Sequence, residues 1–139
     1  MLRQASQLLR LETRGKGLYE FTREASRWVA ETGMAEGLLT LFCRHSSASL
    51  LIQENAAPAV KRDLARFFED LVPEQAGYEH DDEGPDDMPA HIRTALTGVS
   101  LQIPLIGGAL MLGTWQGLYL FEHRRAPHRR EVALHLIGA

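Results

Sequence analysis

Thirteen residues, Glu79-His80-Asp81-Asp82-Glu83-Gly84-Pro85-Asp86-Asp87-Met88-Pro89-Ala90-His91, hold six carboxylates, two imidazoles and no basic side chain. Imidazole nitrogens and carboxylate oxygens are the ligand atoms of divalent cations, and the same groups move protons in general acid–base chemistry. A run of like charge is otherwise a solvated loop. Rich apolar segments flank this one on both sides, so it stands as a site loop whose charges need a partner, with a metal ion as the first choice.

His80 and His91 are eleven residues apart, and only a chain that doubles back can bring their rings together. Gly84-Pro85 supplies such a turn. Pro89 marks a helix start, with Asp86 or Asp87 as cap, and puts His91 in the first or second turn. The positive end of the helix dipole disfavours imidazolium there, and the neutral ring is the form that binds metal. His45 ends an apolar run just before Ser46-Ser47. It is either a satisfied structural residue or the third ligand that would leave an open site of three protein groups and water. The expected ligands are therefore His45, His80 and His91, and the expected cofactor is a divalent cation, zinc ahead of magnesium. Glu54, Glu83, Asp86 and Asp87 are the candidates to orient the imidazoles or to act as acid and base.

A second chemistry is anion binding. His123 to Arg130 carries four arginines in eight residues, and arginine forks suit phosphate or carboxylate. The loop is otherwise a solvated basic surface, or the counter-surface to the acidic loop across a subunit boundary. In Gly113-Thr114-Trp115-Gln116-Gly117 the glycines allow close backbone approach, and Trp115 and Gln116 could stack on and hydrogen-bond a planar group. The alternative there is a tight hairpin with Trp115 plugging the core. Ser47, Asn55, Gln116, Arg124 and Arg130 are the residues expected to bind a phosphorylated small molecule, although Asn55 also suits a helix N-cap.

These groups need a scaffold, and the chain can build one. Its 139 residues suit a single domain, residues 1–139, and 45% hydrophobic with 24% charged residues is a globular composition. Net charge is −3, which gives no reason to expect nucleic acid or an anionic membrane as partner. Nine acids and no base lie between Phe67 and Ile92, leaving nine acids against fifteen bases elsewhere. Acidic and basic surfaces are thus expected to be separate, each facing a different part of a ligand or a neighbouring subunit. One cysteine, Cys43, excludes an intrachain disulfide and suits a reducing compartment. Met1-Leu2-Arg3-Gln4 opens on a polar–apolar pattern with no signal-peptide core, and no apolar run reaches the ~18–20 residues of a membrane span. Cytoplasm is the expected location.

Period-two alternation predicts an edge-like strand over Arg3–Thr13, and a short strand follows at Leu18–Phe21. Thr22 is the expected N-cap of a helix carrying Ala25, Trp28 and Val29 and stopping at Gly33. Gly37–Cys43 is apolar throughout and predicts a strand buried on both faces. Ala48–Gln53 is the next strand. Pro58 opens a helix with an apolar stripe at Val60, Leu64, Phe67, Phe68 and Leu71, ended by Pro73. Beyond the acidic loop and its helix, which stops at Gly98, the pattern is all strand: Leu101–Leu105, Ala109–Gly113, Gln116–Glu122 and Glu131–Ile137. The class is α+β, a mixed and mainly antiparallel sheet with helices packed on it.

The order of these motifs resembles the YjbQ family over almost the whole chain. The first signature is His45-Ser46-Ser47-Ala48-Ser49-Leu50 with Gln53-Glu54-Asn55 and Asp63-Leu64. The second is Glu79-His80 through Glu83-Gly84 and Asp86-Asp87-Met88-Pro89-Ala90-His91. The third is Gly98-Val99-Ser100-Leu101 with Ile103-Pro104, and Leu112-Gly113-Thr114-Trp115-Gln116-Gly117 with Glu122. The resemblance implies an α+β homotrimer with a cluster of histidines and acids near a subunit boundary. It also implies a weak, secondary thiamine-phosphate synthase activity, which joins a pyrimidine methyl diphosphate to a thiazole phosphate and releases pyrophosphate. The chain departs from the family where Ala126-Pro127-His128 replaces a common Gly-Pro-Arg element. Two further readings stay beside the enzyme: a non-catalytic module binding metal or a phosphorylated metabolite, and a structural trimer.

Overall fold

The computed structural model describes residues Met1–Ala139. Eight strands and three helices follow in the order β1 (Arg3–Thr13), β2 (Gly17–Glu20), α1 (Thr22–Thr32), β3 (Gly37–Cys43), β4 (Ala48–Glu54), α2 (Pro58–Leu71), α3 (Asp87–Thr97), β5 (Ser100–Ile106), β6 (Ala109–Leu110), β7 (Gln116–Glu122) and β8 (His128–Gly138). The class is α+β, with the strands divided between two sheets. One has the order β1-β8-β3-β5-β6, the other β2-β7-β4, and every ladder is antiparallel.

Strand periodicity explains the core. Leu39, Leu41 and Cys43 of β3 lie beside Leu136, Leu134 and Val132 of β8 and Ile103 and Leu105 of β5, all on one face. Leu50 of β4 and Leu118 and Leu120 of β7 come from the smaller sheet, and Phe21, Ala25 and Val29 come from α1 and its entry. Truncating one of these leucines to alanine costs about 2–5 kcal/mol.

β3 is not buried on both faces as its composition suggested. Leu38 is 41% and Phe42 48% exposed on its outer side. The strand buried on both faces is β7: Leu118 and Leu120 join the core, while Tyr119 lies under Lys61 and Phe121 under Phe68 of α2. Composition cannot distinguish the two strands, because only the placement of α2 decides which sheet is covered twice.

Pro58 is the first residue of α2, as expected, but no residue of that helix is fully buried, and Phe67 and Leu71 are exposed. Thr22 is the first residue of α1 rather than its cap. Its hydroxyl donates to Glu20 and accepts from the Leu118 backbone N–H. At the other end Gly33 adopts the left-handed conformation (φ 73°) expected of a helix stop.

Candidate functional site

Two turns fold the acidic loop back on the start of α3. Gly84 has φ 96°, a conformation costly for residues with a side chain, and the Asp87 N–H donates to its carbonyl. The reversal brings the His80 and His91 rings to 5.7 Å between centroids. On α3, Asp87 and His91 are one turn apart and therefore share a face. The Nε2 atoms of His80 and His91 lie 2.7 and 3.2 Å from the same oxygen, Oδ2 of Asp87. The ligand atoms of these three residues all fall within 4.8 Å of one another.

The tautomer of His91 follows from its other nitrogen. Nδ1 is 2.9 Å from the Ser46 carbonyl, which can only accept, so Nδ1 carries the proton. A neutral His91 then turns an Nε2 lone pair toward a carboxylate oxygen, and either a proton or a cation must lie between them. A backbone carbonyl orienting a ring in this way is the usual support of a metal-binding imidazole. Two ligands at about 2.0–2.1 Å from a tetrahedral ion stand about 3.3 Å apart. The His91–Asp87 separation already matches, and His80 needs to retreat by about half an ångström.

Charge reinforces the arrangement. The hydrogen bond to Asp87 raises the pKa of His80 above its ordinary value against a smaller effect of burial, helped by the charges of Asp82, Asp87 and Glu83. Burial pushes the Asp87 carboxyl up, but the His80 hydrogen bond and the charges of His91 and Arg124 outweigh it and hold the carboxyl below its usual range. Glu83 and Asp82 lie 3.2 and 3.7 Å from the His80 ring on the exposed side.

The other expected ligand, His45, is placed elsewhere. Its Nε2 accepts the Glu131 backbone N–H at 2.8 Å, and its Nδ1 is 3.4 Å from the Arg130 guanidinium. Burial, then the Arg130 charge, lowers its pKa. It borders a shallow cavity with Ser46 and His91 but joins no ligand cluster. Asp87, expected as an acid or base, converges with the two histidines instead.

The basic loop is engaged internally, which corrects the picture of two separate charged surfaces. Arg124 donates to Asp86, Asp87 and the Glu83 carbonyl, Arg125 pairs with Glu74, and Arg129 pairs with Glu12. Arg130 is only 4% exposed. It shares the inward side of β8 with Val132, Leu134 and Leu136, and it grips Glu122 through Nε at 2.7 Å and Nη2 at 2.5 Å. Its Nη2 also donates to the Ser47 hydroxyl. Asp86 occupies the N-cap position of α3 without capping it, because its carboxylate accepts from Arg124 and from the Arg125 backbone.

Glu54, Asn55 and Gln116 lie at the far end of the smaller sheet. Six residues of β4 separate Glu54 from the Ala48 end, about 20 Å of extended chain. Glu54 accepts the backbone N–H groups of Ala56 and Ala57, Asn55 reaches Glu20, and Gln116 accepts the Gly113 N–H. Gly117 faces protein side chains: a Cβ there would stand 2.7 Å from Glu20 Oε2 and 3.2 Å from Asn55 Cβ. Trp115 is 62% exposed and fills no core space.

A buried polar hub escaped the sequence reading. Glu122 accepts from Thr13, Arg130 and the backbone of His123 and Arg124. His123 Nε2 is 2.9 Å from the Ser49 hydroxyl, which Thr97 of α3 also contacts. Burial, with the charge of Arg93 second, lowers the pKa of His123 to about 3. The available signal was Glu122-His123 continuing the buried run Leu118–Phe121 without a break in strand pattern.

A family model described as "UPF0047 protein YjbQ-like" matches residues 7–139. The chain is 53% identical over 137 residues to the UPF0047 protein sll1880 of Synechocystis, covering 98% of this chain and 93% of that one. It is 41% identical over 131 residues to the UPF0047 protein YjbQ of Escherichia coli O157:H7, covering 94% and 95%. A crystal structure of an uncharacterised YjbQ/UPF0047 family protein from Clostridium acetobutylicum superposes with a TM-score of 0.85 at 33% identity, covering 91% of this chain and 97% of that one.

Proposed function

The chain belongs to the YjbQ family, and from that premise we propose that its His80–Asp87–His91 cluster binds a first-row divalent cation, zinc ahead of magnesium. One observation carries the reading: two imidazole nitrogens converge on a single, nearly buried carboxylate oxygen, and one ring is held in the metal-binding tautomer by the Ser46 carbonyl. Nitrogen-rich donors favour zinc and its neighbours over magnesium. Asp82 and Glu83 border the exposed side, where a ligand or water completes the coordination.

The best-supported role is a cation-binding protein that presents this site to a phosphorylated small molecule. A thiamine-phosphate synthase-type transfer is the second reading, favoured by the exposed side of the site, which would admit a diphosphate. A divalent cation supplies charge neutralisation to such a leaving group. The chain's own part would be to hold that charge at Asp87 and to pass protons through Glu83, since His80 is taken up as a ligand and Arg124 and Arg130 are committed to carboxylates.

We also propose a homotrimer in a reducing cytoplasm. The outer face of the five-stranded sheet supports self-association: Leu38, Phe42, Ile106 and Ile137 are all exposed there. Free Cys43 is buried, and no helix is long and apolar enough to cross a membrane. The deciding experiment is elemental analysis and zinc calorimetry on protein made without a His tag, then incubation of the loaded protein with the pyrimidine diphosphate and thiazole phosphate. Zinc bound at one per chain, lost in His80→Ala and His91→Ala, supports the cation site; absence of zinc binding in the parent overturns it. Product formation separates the enzyme from the binding module.

A further inference from the structure

The acidic loop supplies far more carboxylate than the cluster uses, and one residue engages the two carboxylates on its inner side, Asp86 and Asp87. Arg124 spreads its guanidinium over the inner side of the loop: Nε donates to Asp86 Oδ2 at 3.0 Å, Nη1 to Asp87 Oδ1 at 2.7 Å and Nη2 to the Glu83 carbonyl at 2.9 Å. Asp86 Oδ2 also accepts the Arg125 backbone N–H at 2.8 Å. Both carboxylates are nearly buried. The fork is itself anchored, because the Arg124 backbone N–H donates to Glu122, which is wholly buried.

Resting on the cation-site reading above, we infer that Arg124 determines which class of cation the site accepts. It leaves Asp87 a single free oxygen, Oδ2, and it withdraws Asp86 Oδ2 and a backbone carbonyl. The donor set that remains on the inner side is two imidazole nitrogens and one carboxylate oxygen, while the Glu83 and Asp82 carboxylates stand 3.2 and 3.7 Å from the His80 ring on the solvent side. That set suits zinc and similar ions. Calcium takes six to eight oxygens and often a bidentate carboxylate, and magnesium demands an octahedral oxygen shell. Without the guanidinium, Asp87 could bind through both oxygens, while the Glu83 carbonyl and Asp86, the latter keeping its Arg125 backbone N–H, would lose their charged partner. The loop would then be an oxygen-rich site carrying one more uncompensated negative charge.

The test compares zinc, magnesium and calcium affinities of the parent, Arg124→Ala and Arg124→Lys by calorimetry. The visible spectrum of the cobalt(II)-loaded proteins reads coordination number independently. The parent should bind zinc in strong preference to calcium and give the intense cobalt spectrum of a four-coordinate site. In Arg124→Ala the zinc-over-calcium ratio should fall at least about tenfold, the effect of one charge-assisted contact, and the cobalt spectrum should weaken toward six-coordinate. Arg124→Lys, which keeps the charge but not the fork, should fall between. Circular dichroism checks folding. If Arg124→Ala does not fold, Arg124→Met combined with Asp86→Asn removes the ion pair at similar volume, frees Asp87 Oδ1, and should shift the ratio in the same direction. A folded variant with the parent's zinc-over-calcium ratio and cobalt spectrum overturns the role of Arg124. A parent that binds no zinc overturns the reading beneath it.

Discussion

Asp87 and His91 stand one turn apart on α3 and aim Oδ2 and Nε2 at each other across 3.2 Å, while the Ser46 carbonyl holds the His91 proton on the opposite nitrogen. The pair is preorganised because each residue is fixed from behind: Asp87 by Arg124, His91 by the loop that follows β3. His80 then enters from the acidic loop onto the same oxygen.

Zinc affinity should fall steeply with acid. Both imidazoles must shed a proton to bind a cation, so the limiting slope is about 100-fold per pH unit, against about 1000-fold for three histidines. Because Asp87 raises the pKa of His80, the decline should begin above the ordinary histidine value of about 6.5. His45→Ala should leave slope and affinity unchanged. A steeper slope that becomes shallower in His45→Ala would restore that residue as a ligand.

Acid should also destabilise the fold through His123. Its folded pKa is about 3, below the unfolded value of about 6.5. Between those values the unfolded chain binds the extra proton. Stability is therefore full above about pH 6.5 and drains as pH falls, by at most about 1.4 kcal/mol per unit. His123→Gln, whose amide can still reach the Ser49 hydroxyl, should flatten that dependence. Urea unfolding at pH 7, 6 and 5 gives the two slopes, and equal slopes would place the titration elsewhere.

Arg130 should be a stability residue rather than a phosphate ligand. Arg130→Ala strands the wholly buried Glu122 carboxylate, which costs about 3–5 kcal/mol. Denaturant midpoints report this directly. A variant of parental stability with weakened pyrophosphate binding would return Arg130 to the role its sequence position suggested.

The outer face of the five-stranded sheet should be covered in solution. Light scattering of the parent at micromolar concentration is expected to give a trimer, and Phe42→Asp with Leu38→Asp a smaller species of unchanged secondary structure. A monomeric parent would leave that exposed apolar face without a partner and remove the oligomer from the functional reading.

The amino-acid sequence alone determined the element order, the α+β class and the helix stop at Gly33, because period and cap chemistry act within a few residues. It also determined that His80 and His91 could meet, since Gly84-Pro85 allows the chain to reverse over so short a span. It could not determine what stands between them. His45, Asp87 and Arg130 carry equally suggestive chemistry as letters. Arg130 is buried because β8 pairs in a register that turns its even residues inward, and His45 loses its lone pair to a backbone N–H eighty-six residues away. The exposure of Leu38 and Phe42, and the burial of β7 on both faces, likewise followed from where α2 came to rest. Local preference is encoded in neighbouring residues. The partners of a charged side chain are decided by long-range packing, which sets which carboxylate is left for a cation and which already holds an arginine.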